Sequence, residues 1–203
     1  MTPLFRDPFL WLRRFRHRRG YGVHSPFAFG FITEVVYEHQ PYYAFSVLDE
    51  ALSWKQRFRV RRYLHLLFRL SNYAHPSDIF SFNADKFELA YVKAACLHAR
   101  CHELKQNSSE DGIIDPLLGA GPLAGSSGSE SDTSSLRRLV FLGSPCQDAL
   151  KLIDKGTMLV LANVHEYKEW WDRLPSVVSF DLYDVGIAFF DPHYNEHHYI
   201  VNF

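Results

Sequence analysis

Apolar residues return every three or four positions through the first third of the chain. Pro8 to Arg19 reads as a short helix that sets Phe9, Leu10, Trp11, Leu12 and Phe15 among arginines and stops at Gly20. Ser25 then offers an N-cap with Pro26 at the first helical position, and Phe27, Phe31, Ile32 and Val35 share one face of the helix that follows. A longer helix is predicted from Leu48 to Tyr73. Val60, Tyr63, Leu64, Leu67, Leu70 and Ala74 recur on its inner side, with Arg57, Arg61, Arg62 and Arg69 opposite.

The period changes after Pro76. Asp78 to Asn83 is a short β-type run, and Lys86 to Leu97 returns to helical spacing, so a strand feeds a helix as in the first half of a βαβ unit. Ala99 to Leu104 reads as a second strand. Asn107 to Ser135 is crowded with serine, glycine, aspartate and proline and is expected to be a disordered loop, because it buries too little apolar surface to offset its ordering entropy. Leu139 to Leu142 and Gly156 to Asn163 read as buried strands lying parallel, separated by a helix over Asp148 to Ile153. A helix from Glu166 to Leu174 precedes three closing strands, Val177 to Leu182, Gly186 to Phe190 and His198 to Phe203, expected to be antiparallel.

Composition narrows the class. At 203 residues and 47% hydrophobic content, one domain with a substantial core is expected. Lys and Arg total 22 against 23 acidic residues, so no global attraction to nucleic acid arises, and the arginine-rich helices read as solvated amphipathic faces. Cys96, Cys101 and Cys146 are odd in number and lack Cys-x-x-Cys pairing, which suggests free thiols in a reducing, cytoplasmic setting. No apolar run has the roughly 18 to 20 residues of a bilayer span.

Three passages resemble class I S-adenosylmethionine-dependent methyltransferases of a type common in Bacteroidetes. They are Arg19-Gly20-Tyr21-Gly22-Val23-His24-Ser25-Pro26-Phe27, then Leu67 to Tyr73, and last Ile153 to Val160 continuing through Asp181 to Phe190. The resemblance implies an α/β fold with a Rossmann-like, doubly wound sheet, a final strand turned antiparallel, and the cofactor across the carboxyl ends of the first strands. It divides the chain into a helical region over residues 1–75, packed on the core, and a sheet domain over 76–203 interrupted by the loop 107–135. That loop stands where a helix and third strand belong, so a reduced sheet is expected.

In similar enzymes the first strand ends in an acidic residue and a glycine-rich turn that admits the cofactor. Here Phe80-Ser81-Phe82-Asn83-Ala84-Asp85-Lys86-Phe87 contains no glycine. The positions that carry over as cofactor-binding candidates are Ser81, Asn83, Ala84 and Asp85, with Glu103 on the second strand for the ribose. Gly143-Ser144-Pro145-Cys146 and Ala162-Asn163-Val164-His165 stand where relatives carry acidic or histidine side chains. No catalytic residue is assigned. Asp191, His193, Glu196, His197 and His198 have metal-ligand chemistry but fall in a turn, so no metal is expected. His24 with Ser25, and Ser144 with Cys146, lack the third group of a nucleophilic site.

The expected function is therefore a methyltransferase-like protein with impaired or lost S-adenosylmethionine binding that acts non-catalytically. The alternative is a divergent active methyltransferase of unknown acceptor. An antiparallel edge strand would suit a homodimer.

Overall fold

The computed structural model describes residues 23–104 and 136–203. The helix expected over 8–19 and the loop expected over 107–135 lie outside the described residues.

Ser25 caps the first described helix as its sequence predicts: its hydroxyl accepts from the Ala28 amide at 3.3 Å, with Pro26 in the first turn. This helix, α1 (Pro26–Phe31), widens into a π-helical turn over Ile32–Val36. α2 (Tyr43–Glu50) and α3 (Trp54–Ala74) follow. One continuous helix from 48 to 73 is thus corrected to two. Ser53 breaks it by forming a capping box, accepting from the Gln56 amide while the Gln56 side chain takes the Ser53 N–H.

The remaining elements are β1 (Asp78–Phe82), α4 (Lys86–Ala95), β2 (Arg100–Leu104), β3 (Arg138–Leu142), α5 (Gln147–Leu150), β4 (Thr157–Ala162), α6 (Lys168–Trp171), β5 (Val178–Asp181), β6 (Val185–Phe189) and β7 (His197–Ile200). The strands form one sheet in the order β2-β1-β3-β4-β6-β5-β7. β1 pairs parallel with β2 and β3, and β3 with β4. β6 runs antiparallel between β4 and β5. β7 departs from the expected antiparallel ending, since it lies parallel to β5 on the sheet's outer edge. The seven-residue passage between β6 and β7 carries the chain past β5, which a tight hairpin would not.

Alternation along the strands separates two cores. Ile79, Leu139, Phe141, Met158 and Val160 face α1 to α4, whereas Phe82, Val140, Leu142, Leu159 and Leu161 face α5 and α6. Both faces are covered, which is why β3 and β4 read as continuous apolar runs. The Ser25-Pro26-Phe27 passage inserts rings into the first core. Phe27 stacks on Tyr194 at 4.2 Å and meets Phe189 edge-on at 5.3 Å, and Phe31 packs on Phe180 at 4.8 Å.

One expectation about side chains changes with burial. Arg69 is not on a solvated face: it is buried, and its guanidinium donates to the carbonyls of Val35 and Val36 at 2.8 and 3.0 Å. Those carbonyls belong to the last two residues of the helical turn and have no partner further along it, and desolvation brings the arginine's pKa down to about 10. All three cysteines are free thiols, with Cys96 and Cys146 buried. Among the described residues no helix is long and apolar enough to cross a membrane.

Candidate functional site

In open α/β sheets ligands gather outside the carboxyl ends of the strands, where successive crossovers leave in opposite directions. That point falls between β1 and β3. From β1 the chain crosses through α4 to β2 on one side, and from β3 through α5 to β4 on the other. The turns after these two strands, Asn83-Ala84-Asp85 and Gly143-Ser144, would have to part to admit a cofactor.

They are closed on one another instead. The Gly143 amide donates to the Phe82 carbonyl at 2.9 Å, continuing the β1–β3 pairing past the strand ends. The Asn83 side-chain amide donates to Ser144 Oγ at 3.0 Å. A Cβ at position 143 would lie 2.0 Å from the Asn83 carbonyl oxygen, so only glycine permits this approach. The glycine of the switch point is therefore on the β3 side, and it brings backbone to backbone. Asn83 has φ of 53°, a left-handed conformation that asparagine tolerates better than most residues.

The other carried-over positions are also engaged. Ser81 is buried within β1. Ala84 is half-buried beside the first core. Asp85 is the N-cap of α4: its Oδ1 accepts from the Phe87 amide at 2.8 Å, and its own amide donates to Glu88 Oε2 at 2.8 Å. Two carboxylates thus occupy the helix start where an anionic ligand group would sit. Glu103 pairs with Lys93 of α4 at 2.7 Å, bridging β2 to its crossover helix. Asn83 and Asp85 are neighbours at the switch point, while Glu103 is committed to the helix layer. The residues present do not fit S-adenosylmethionine without opening the Asn83–Gly143 contact.

A second concentration of chemistry lies where α2 meets α3. Asp49, a buried carboxylate, accepts from Tyr91 Oη at 2.6 Å, shares a hydrogen bond of 3.0 Å with His65 Nε2, and pairs with Arg61 Nε at 2.8 Å. Its backbone carbonyl accepts from Arg57 at 2.7 Å. Burial opposes ionisation of Asp49, but the hydrogen bonds from Tyr91 and His65 and the Arg61 charge outweigh it and hold the carboxyl below its ordinary range. Desolvation pulls the His65 imidazole down, against the pull of Asp49. The imidazole stacks on Phe45 with ring centres 3.7 Å apart. Around this hub opens a cavity of about 770 Å³ whose walls include Arg57, Arg61, Arg62, Trp54 and Phe58.

Sequence reading placed those arginines on a solvated face and passed over Asp49. An acid within an apolar-periodic stretch, one helical turn before the Ser53 cap, was the available signal. Among the described residues no group of three or more His, Cys, Asp or Glu side chains is placed to hold a metal ion. His193 instead closes an Asx turn, with Nδ1 2.7 Å from Asp191 Oδ1. Ser25 is absorbed by the helix cap, and His24 is exposed beside it. No family model, no curated protein and no solved structure matches this chain.

Proposed function

We propose that this chain is a methyltransferase-like α/β protein that has lost S-adenosylmethionine binding and acts without catalysis. The carrying observation is the direct seal between the β1 and β3 turns, made by Gly143 against the Asn83 backbone and by Asn83 to Ser144. The fold side of the reading rests on a mostly parallel, seven-stranded sheet that carries one antiparallel strand, although that strand is β6 and not the last one. Asp85 adds to it, because the carboxylate that similar enzymes direct at a cofactor here caps α4. Binding would require breaking the Asn83–Ser144 bond, displacing the turn and re-solvating a helix start, each of which subtracts from affinity.

Calorimetric titration with S-adenosylmethionine and S-adenosylhomocysteine tests the reading. No heat at millimolar ligand is the expected result. Saturable micromolar binding would overturn it, return the divergent active methyltransferase to first place, and call for a screen of methyl acceptors.

A further inference from the structure

The first turns of α3, from Trp54 to Arg62, are largely exposed, while Tyr63 at their end is buried and donates through Oη to Glu88 Oε1 at 2.7 Å. Trp54 and Phe58 sit one turn apart on this stretch, each 80% exposed. Exposed large rings at helical spacing serve no core. They stand beside Arg57 and Arg61, whose guanidiniums are each held by Asp49, the first at its carbonyl and the second at its carboxylate. Arg62 lies over the Phe203 ring at 4.3 Å.

We propose that this cavity binds a nucleotide-like small molecule, a flat ring bearing a phosphate. Trp54 and Phe58 would cover the ring, and Arg57 and Arg61 would take the phosphate. Each step follows from chemistry on the page. Arg61 spends its Nε edge on Asp49, so the fork is aimed before any ligand arrives and little side-chain entropy remains to be lost. Planar guanidinium forks match phosphate oxygens, and exposed aromatic faces stack on bases whatever their identity. The chain as a whole is near neutral, with a formal charge of −1, so the clustering of arginines here is local. A cavity of about 770 Å³ falls in the size range of small-molecule sites. This site is separate from the β1–β3 turns, so the proposal does not depend on whether those turns admit a methyl donor.

The test is titration of the full chain with adenosine 5′-monophosphate, followed by calorimetry and by tryptophan fluorescence. Saturable binding at micromolar to sub-millimolar concentration is expected, with adenosine and inorganic phosphate each weaker alone. Trp54→Ala, at an exposed position, should weaken binding by about tenfold with an unchanged unfolding midpoint, and Arg57→Gln, which also gives up the bond to the Asp49 carbonyl, should weaken it by a similar factor while the chain stays folded. Ser144→Ala, at the sheet crevice, should leave it unchanged. Absence of saturable binding, equal affinity in the Trp54 and Arg57 variants, or loss of binding in Ser144→Ala would each overturn the proposal. Binding of an oligoadenylate or a polyglutamate peptide in place of the mononucleotide would overturn it too, and would reassign the surface to a macromolecule.

Discussion

Tyr91 of α4 donates its phenolic proton to Asp49 of α2 across 2.6 Å, and that single bond ties the crossover helix of the sheet to the helical region ahead of it. Both groups are buried. Tyr91→Phe deletes a hydrogen bond to a charged acceptor without changing shape, and is expected to cost about 1.5–3 kcal/mol in urea unfolding. A loss below a few tenths would show that Asp49 is held by His65 and Arg61 alone.

Asp49 also sets an acid limit on stability. Its carboxyl is held below its unfolded value, so the folded state binds fewer protons there. The stabilisation is complete above the unfolded pKa and is lost as pH falls through the folded one. Asp49→Asn should flatten the acid limb of a stability–pH curve measured by urea midpoints. An unchanged limb would refute the assignment.

Glu88 works in the opposite sense. Burial raises its pKa, against the hydrogen bonds it accepts from the Asp85 amide and Tyr63. Its contribution is therefore complete below the unfolded pKa and declines as pH rises through the folded one. Glu88→Gln keeps partners for both bonds and removes the ionisation, so its stability relative to the parent chain should climb between about pH 4 and neutrality. A constant difference across that window would count against it.

Gly143→Ala places a methyl group against an immovable carbonyl. The expected cost is about 1–3 kcal/mol, as for overpacking in a well-filled core. Ser144→Ala removes only the neighbouring exposed bond and should cost less than about 1 kcal/mol. If the two substitutions are equal in urea titrations, the backbone contact is not what closes the turns.

Gly186 of β6 lies beneath Trp171, with two ring carbons and a Val164 methyl all 2.7 Å from where a Cβ would stand. Gly186→Ala should destabilise by about 1–3 kcal/mol. Adding Trp171→Leu frees that space, so the double variant should fall short of the summed losses by about 1 kcal/mol or more in a thermodynamic cycle. Strict additivity would place the clash elsewhere.

Much of this fold is written in local pattern. Ser25 with Pro26 announces α1, and the runs Leu139 to Leu142 and Thr157 to Ala162 announce parallel strands buried on both faces. The break between α2 and α3 was also present, in Ser53 and Gln56, but the apolar period runs through it and masks the cap. Partner choice is not local. Nothing in His197 to Ile200 says that the strand pairs with β5 in parallel, because that depends on the path the preceding turn takes. Arg69 reads as a surface cation since the carbonyls that receive it lie at a helix end thirty-odd positions earlier. The site was legible in part: Asn83 in its left-handed conformation follows from residue type, whereas the pressure of Gly143 on it needs two distant turns brought together.

The seam between β1 and β3 has a consequence for how the molecule comes together. β5 and β6 are joined by a turn of a few residues and dock on β4 close by in sequence, so this half assembles through short loops. Asp78, by contrast, meets Arg138 only after the whole intervening chain has been gathered in. Amide exchange during refolding should therefore protect Leu159 to Leu161 and Ile187 before Ile79 and Ser81, and simultaneous protection would refute this order. The closed turns at Asn83 and Gly143 then act as the latch that completes the last joint of the sheet.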